Sequence, residues 1–216
     1  MSVPARLPDA DDATLTARLD AVCADGWAFW EHFDRTVRRD GFHPFVAADY
    51  ERVRDALLPL RAPGRRFLEW GAASGVITVM AAVMGFEAYG IELDASLVEA
   101  ARALAARHGA DARFVVGSFL PAGYRWRSPD GDSRTGTLGD GPSGYVALAR
   151  ALDEFDVVFG YPWDGEGPLM RDLICRYGRP GALLMLYDPS GEVRLYRDGR
   201  CLTSTSEAAD QRSTRS

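Results

Sequence analysis

Two carboxylates and a run of small residues carry the first chemical signal in this chain. In "FLEWGAASG", Phe67 to Gly75, an apolar run ends at Glu69 and gives way to Gly71, Ala73 and Gly75, which leave the backbone open to close approach. Roughly twenty residues on, Glu92 ends a second apolar run, "YGIELD", the position from which an acid accepts both hydroxyls of a ribose. The spacing inside the turn narrows the ligand. A dinucleotide fingerprint, G-x-G-x-x-G, needs a small residue at position 76, where this chain has Val76. Glu69, two residues before the first glycine, repels a phosphate and suits a cationic or amine-bearing ligand.

A second cluster is "FGYPWDGEG". Tyr161, Pro162 and Trp163 form a rigid aromatic wall, and Asp164 and Glu166 add carboxylates. The faces of Tyr161 and Trp163 attract a positively charged group. Glu166 and His43 are residue types that take a proton from an oxygen or nitrogen nucleophile. Each has a plain packing alternative: Trp163 as core, Glu166 as a helix cap ahead of Pro168, His43 as a turn residue before Pro44.

Composition removes other chemistries. The chain contains no Lys, so all 25 basic residues are Arg. No Schiff base, lysine general base or Walker-type phosphate lysine can be built. A net charge of −6 gives no field to gather a polyanion, and no nucleic-acid partner is expected. Cys23, Cys175 and Cys201 are odd in number and far apart, which predicts reduced thiols rather than a disulfide framework or a metal site. The apolar stretch Gly75 to Phe86 is too short to span a bilayer, and the acidic start "MSVPARLPDADD" is unlike a secretory leader. A cytoplasmic protein without membrane contact is expected.

The elements that must position these residues alternate. Apolar residues from Leu15 to Val37 predict an N-terminal helix pair broken near Gly26, and Asp49 is a cap for a helix from Tyr50. Then "RRFLEW", "EAYGIEL", "ARFVVGSF", "FDVVFGYPW" and "GALLMLYD" read as buried strands. Between them lie the helical patterns "SGVITVMAAVMGF", "DASLVEAARALAARHGA" with Ser96 and Glu99 spaced as a capping box, "YVALARALDEF" and "PLMRDLICRYG". Continuous apolar strands separated by amphipathic helices predict an α/β fold, a doubly wound and mostly parallel sheet. "GEVRLYRDGRCLT" adds a C-terminal hairpin turning at Asp198-Gly199. The expected organisation is a helical cap over 1–64, a ligand-binding domain over 65–200 with a lid or disordered loop at 121–144, and a disordered tail over 201–216.

With these residues in view, the chain resembles class I S-adenosylmethionine-dependent methyltransferases. "LEWGAASG" is similar to their first motif, an acid followed by G-x-G-x-G, with Ala73 in place of the middle glycine; "YGIELD" resembles the second. The resemblance implies S-adenosylmethionine as cofactor, held by Glu69, Gly71, Ala73, Gly75, Glu92 and Leu93, with Ser118 and Phe119 of "VVGSF" at the adenine. It places the loop after strand four at the transferable methyl, so Tyr161 touches both cofactor and acceptor, with Trp163, Glu166 and His43 as candidate catalytic residues. The motif is unlike that of base-amine methylating enzymes, which carry Asn or Asp, two prolines and an aromatic there. A small-molecule nitrogen or oxygen acceptor is expected. The alternatives are a protein lysine, by a fainter likeness to histone-modifying lysine methyltransferases, and a cofactor-binding module without turnover.

Overall fold

The computed structural model describes residues 10–39, 41, 43–125, 141–163 and 165–204. The expectations for Asp164, and for most of the 121–144 loop and the tail, fall outside the described residues.

Five strands run parallel: β1 (Arg66–Trp70), β2 (Glu87–Glu92), β3 (Ala112–Val116), β4 (Val157–Gly160) and β5 (Leu183–Tyr187). The antiparallel hairpin β6 (Val193–Arg197) and β7 (Arg200–Ser204) extends the sheet to the order β3-β2-β1-β4-β5-β6-β7. This is the doubly wound, mostly parallel sheet that the alternating pattern predicts. Winding reverses between β1 and β4, and a crevice opens there beyond the carboxyl ends of the strands. Asp198 (φ 49°) and Gly199 (φ 76°) make the hairpin turn at the expected place. The second hairpin strand takes in residues 201–204, so the tail begins later than 201.

Alternate residues of β1 feed two cores. Phe67 packs with Val79, Met80 and Met185 on one face, while Leu68 and Trp70 pack with Val158, Leu169 and Leu184 on the other. Each such side chain removed from water contributes about 1.5–3 kcal/mol. The first face is covered by α3 (Val76–Val83) and α4 (Ala95–Arg107) and by the N-terminal helices α1 (Ala10–Phe33) and α2 (Tyr50–Leu57), whose Leu19, Val22, Tyr50 and Val53 are buried in the same core.

Several local expectations need correction. Helix α1 runs unbroken through Gly26, where a Cβ would stand 2.7 Å from Val76 Cγ2 and 3.0 Å from the Tyr50 ring. Glycine there permits close helix packing instead of a break, and α1 ends in a π-turn, Asp34–Arg38. The α4 cap is Asp94, whose carboxylate accepts from the backbone N–H groups of Ser96 and Leu97, so the spacing of Ser96 and Glu99 is not used. The pattern "YVALARALDEF" divides into a short α5 (Gly144–Leu148) and a 3-10 turn, Leu152–Glu154. Ala149 turns left-handed there (φ 52°), and the Arg150 guanidinium donates to the Tyr89 hydroxyl and to Glu154. Asp49 caps α2 as expected, accepting from Arg52 N at 2.9 Å. The last helix, α6 (Glu166–Tyr177), leads into β5.

Candidate active site

Beyond β1 and β4 lies a cavity of ≈ 850 Å³. Its wall draws on the turn after β1 (Glu69 to Ser74, then Val76 and Ile77), the end of β2 (Ile91 to Asp94), the loop after β3 (Gly117, Phe119), the loop after β4 (Tyr161 to Trp163), and the segment from His43 to Ala48 with Tyr50. The ligand-sized volume is at the upper end of what small-molecule sites enclose.

The turn itself is built on positive φ angles at Gly71 (69°), Ala73 (45°) and Gly75 (77°). A Cβ on Gly71 meets nothing within 4 Å, whereas one on Gly75 would come within 2.6 Å of Ala101 Cβ and 2.8 Å of the Phe114 ring. Gly71 therefore leaves room toward the cavity, and Gly75 lets the turn lie against α4 and β3. Ala73 adopts the left-handed conformation in spite of its methyl group.

The two carboxylates of the opening motif have different surroundings. Glu92 Oε2 accepts from Ala73 N at 2.8 Å and Oε1 from Asp94 N at 3.0 Å. The carboxylate is thus aimed by backbone donors and keeps lone pairs for a ligand at the cavity wall. Glu69 is 4 % exposed and its Oε2 accepts from Thr78 N at 2.9 Å and Thr78 Oγ1 at 2.5 Å, in the first turn of α3. Burial pushes its carboxyl up to about 8, against the pull of the Thr78 hydrogen bonds and with the Glu92 charge adding to the rise. Tyr50 lies close by, its hydroxyl hydrogen-bonded to Ser74; burial and Glu69 hold its proton on.

His43 lines the cavity with both ring nitrogens engaged. Nδ1 accepts from Phe45 N at 3.0 Å, so the proton of the neutral ring lies on Nε2, 3.2 Å from Asp94 Oδ2. Phe33 meets the ring edge-on at 4.8 Å and clusters with Phe45 and Leu97. Tyr161 meets Tyr187 edge-on at 4.8 Å, and Trp163 is half-buried beside it on the wall.

Of the residues nominated from sequence, Glu69, Gly71, Ala73, Glu92, Leu93, Phe119, Tyr161, Trp163 and His43 border one cavity. Gly75 shapes the turn without lining it. Ser118 and Glu166 point elsewhere. The Ser118 hydroxyl accepts from Leu120 N at 3.1 Å, while its backbone N donates to Pro142 O and its carbonyl accepts from Gly144 N, joining the two stems of the long loop. Glu166 is buried off the cavity wall, with Oε2 accepting from Trp163 N at 2.9 Å; it stiffens its own loop. Sequence reasoning missed Asp94, Thr78, Ser74 and Pro189. Thr78 carries a signal in hindsight: it is a lone hydroxyl in an apolar helix, three residues past Gly75. Among the described residues, no group of three His, Cys, Asp or Glu side chains is arranged to hold a metal ion, and no helix is long and apolar enough to cross a membrane.

No family model matches the chain. Two curated proteins do, both named ribosomal protein L11 methyltransferase. The one from Thermus thermophilus is 32% identical over 99 residues, 44% of this chain and 39% of that protein. The one from Ralstonia nicotianae is 30% identical over 125 residues, 57% of this chain and 32% of that protein. The chain thus spans less than two-fifths of the length of these relatives. A solved RNA methyltransferase from Salinibacter ruber in complex with S-adenosyl-L-homocysteine superposes with a TM-score of 0.44 at 20% identity, over 62% of this chain and 72% of that one. The doubly wound sheet and the glycine turn beside Glu92 thus occur in a chain that is similar, over 44% and 57% of its length, to two proteins named as methyltransferases.

Proposed function

We propose that the protein binds S-adenosylmethionine in this cavity and transfers its methyl group to a nitrogen or oxygen nucleophile of a small molecule. One observation carries the reading: the glycine turn with Glu92 and the Tyr161–Trp163 loop open onto the same ≈ 850 Å³ space. The residues present fit the cofactor. Glu92, aimed by Ala73 N and Asp94 N, would take the ribose hydroxyls, Leu93 and Phe119 would flank the purine, and Gly71 leaves the backbone open to the methionine half. When bound, the cofactor supplies an electrophilic methyl on a positively charged sulfur.

The chain's own part is positional. Tyr161, Pro162 and Trp163 wall off the acceptor end, and the segment from His43 to Ala48 closes the cavity from the N-terminal side. Holding the two reactants together in a desolvated space accounts for much of the rate in such a displacement. A second reading, a protein as acceptor, is favoured by the names of the ribosomal protein L11 methyltransferases to which the chain is similar.

Calorimetry with S-adenosylmethionine against nicotinamide dinucleotide tests the cofactor. The former is expected to bind and the latter not. Radiolabel carried on the methyl group then separates the acceptors in cell extract: label passing a small-pore filter supports a small molecule, and label retained with protein supports the second reading. Cofactor binding with no S-adenosylhomocysteine formed would make the chain a binding module.

A further inference from the structure

Among the described residues, the acceptor end of the cavity lacks two things: a cationic side chain and an available base. Among the described residues, the charged or imidazole side chains on the wall are His43, Glu69, Glu92 and Asp94, and no Arg is among them, although all 25 residues of Lys or Arg type in the chain are Arg. A carboxylate or phosphate on the acceptor would enter a space lined by acids with no counter-charge.

The same four groups are engaged within the protein, and the lone pairs that Glu92 keeps are those assigned above to the ribose. Both oxygens of Glu92 accept backbone N–H groups. Asp94 Oδ1 accepts from Ser96 and Leu97, and Oδ2 faces His43. His43 uses one nitrogen on Phe45 N and the other on Asp94. Glu69 lies under the turn against Thr78, and burial keeps its proton on near neutrality. Glu166 is off the wall, bonded to Trp163 N. Burial, with Tyr187 and Asp188 nearby, also holds the Tyr161 phenol proton above its ordinary range.

An alcohol must lose its proton as it attacks, which calls for a base in contact. A neutral amine already has a free lone pair, and the apolar side chains of Pro44, Phe45 and Pro162 disfavour its charged form. Resting on the function proposed above, we infer that the acceptor is a small amine without carboxylate or phosphate, methylated on nitrogen with no protein side chain taking its proton. The nitrogen lone pair forms the new N–C bond as the C–S bond breaks. The sulfur keeps the bonding pair and leaves as a neutral thioether, and the methylated ammonium gives its proton to water.

The experiment uses the full chain and probes that share one ring: benzylamine, the weaker base 4-nitrobenzylamine, benzyl alcohol and benzoate. Calorimetry with S-adenosylmethionine comes first; failure to bind the cofactor defeats the function itself and is a separate outcome from any failure of the acceptor probes. Binding of each probe is then measured in the presence of S-adenosylhomocysteine, and turnover by S-adenosylhomocysteine release across pH. Benzylamine is expected to bind at least tenfold tighter than benzoate and to be methylated, with benzyl alcohol inert. The alkaline rise in kcat/KM should follow each amine's own deprotonation and move to lower pH for 4-nitrobenzylamine. A rise fixed at one pH for both amines would mean a protein base. That result, benzoate binding as tightly as benzylamine, alcohol turnover matching the amine, or cofactor binding with neither amine bound would overturn the inference.

Discussion

The Nε2 of His43 stands 3.2 Å from Oδ2 of Asp94, and this contact ties the segment ahead of α2 to the cap of α4 across the cavity wall. Burial pushes the Asp94 carboxyl up, but hydrogen bonds from Ser96 and His43 outweigh it and hold the group below its ordinary value. One carboxylate therefore secures both a helix start and the N-terminal cover of the cavity. His43→Ala should weaken S-adenosylmethionine binding by roughly tenfold, ~1.4 kcal/mol, and lower stability by about 1 kcal/mol. Calorimetry and denaturant unfolding would read the two effects. Unchanged affinity would show that the cover does not depend on this link.

Glu69 gives a pH dependence with a definite sign. Its folded-state value, raised by burial to about 8, lies above the ordinary 4.5. Between those values unfolding releases its proton, so the stabilising contribution is fully present below pH 4.5 and is lost as pH rises toward 8. The local slope approaches about 1.4 kcal/mol per pH unit at most. Glu69→Gln should flatten this part of the stability curve and be more stable than the parent above pH 8. Parallel curves for the two proteins from pH 5 to 9 would show that Glu69 is ionised in the folded state.

Ala73 and Gly75 make opposite predictions within one turn. Ala73 is left-handed at φ 45°, a conformation that costs an L-residue roughly 1–2 kcal/mol. Glycine loses roughly 0.5–1 kcal/mol in chain entropy, so Ala73→Gly should be neutral to stabilising by up to about 1 kcal/mol. Gly75→Ala combines φ 77° with a Cβ 2.6 Å from Ala101 Cβ. It should cost about 2–4 kcal/mol, read as a drop in Tm. Equal Tm values for the two variants would contradict this account of the turn.

Glu92→Gln replaces one of two backbone-accepting oxygens with an N–H donor facing another N–H group. S-adenosylmethionine affinity should fall by about 10- to 100-fold, the loss of a charge-assisted contact and of its aim. The variant should remain folded by circular dichroism. Cofactor affinity within twofold of the parent would remove Glu92 from the ribose role.

The strand and helix alternation was legible because strands covered on both faces are apolar throughout, as in the fully buried "LLMLY" of β5. The turn was legible because Gly71 and Gly75 occupy positions where φ or contact admits little else. What escaped depends on partners distant in sequence. His43 and Asp94 are 51 residues apart, and no local pattern predicts that both nitrogens of the imidazole are engaged. Glu166 looked like a base for its loop position, yet an acid at the start of a helix finds the nearest backbone donor, here Trp163 N, without help from the rest of the fold. Gly26 read as a breaker because a helix interior disfavours glycine, and only the approach of Val76 and Tyr50 explains it.

That approach has a consequence for how the protein can be cut. Val76 touches the backbone of α1 at Gly26 and also begins the helix that the ligand turn leads into. A fragment starting at Arg65 would keep every motif residue of the turn and both carboxylates. It would also strip the cover from Val76, which meets Gly26, and Met80, which meets Cys23, two side chains that are almost fully enclosed in the whole chain. The seam at residue 64 marks a change of pattern along the sequence and not a place where the molecule comes apart, so a minimal binding fragment must carry its leading helices with it.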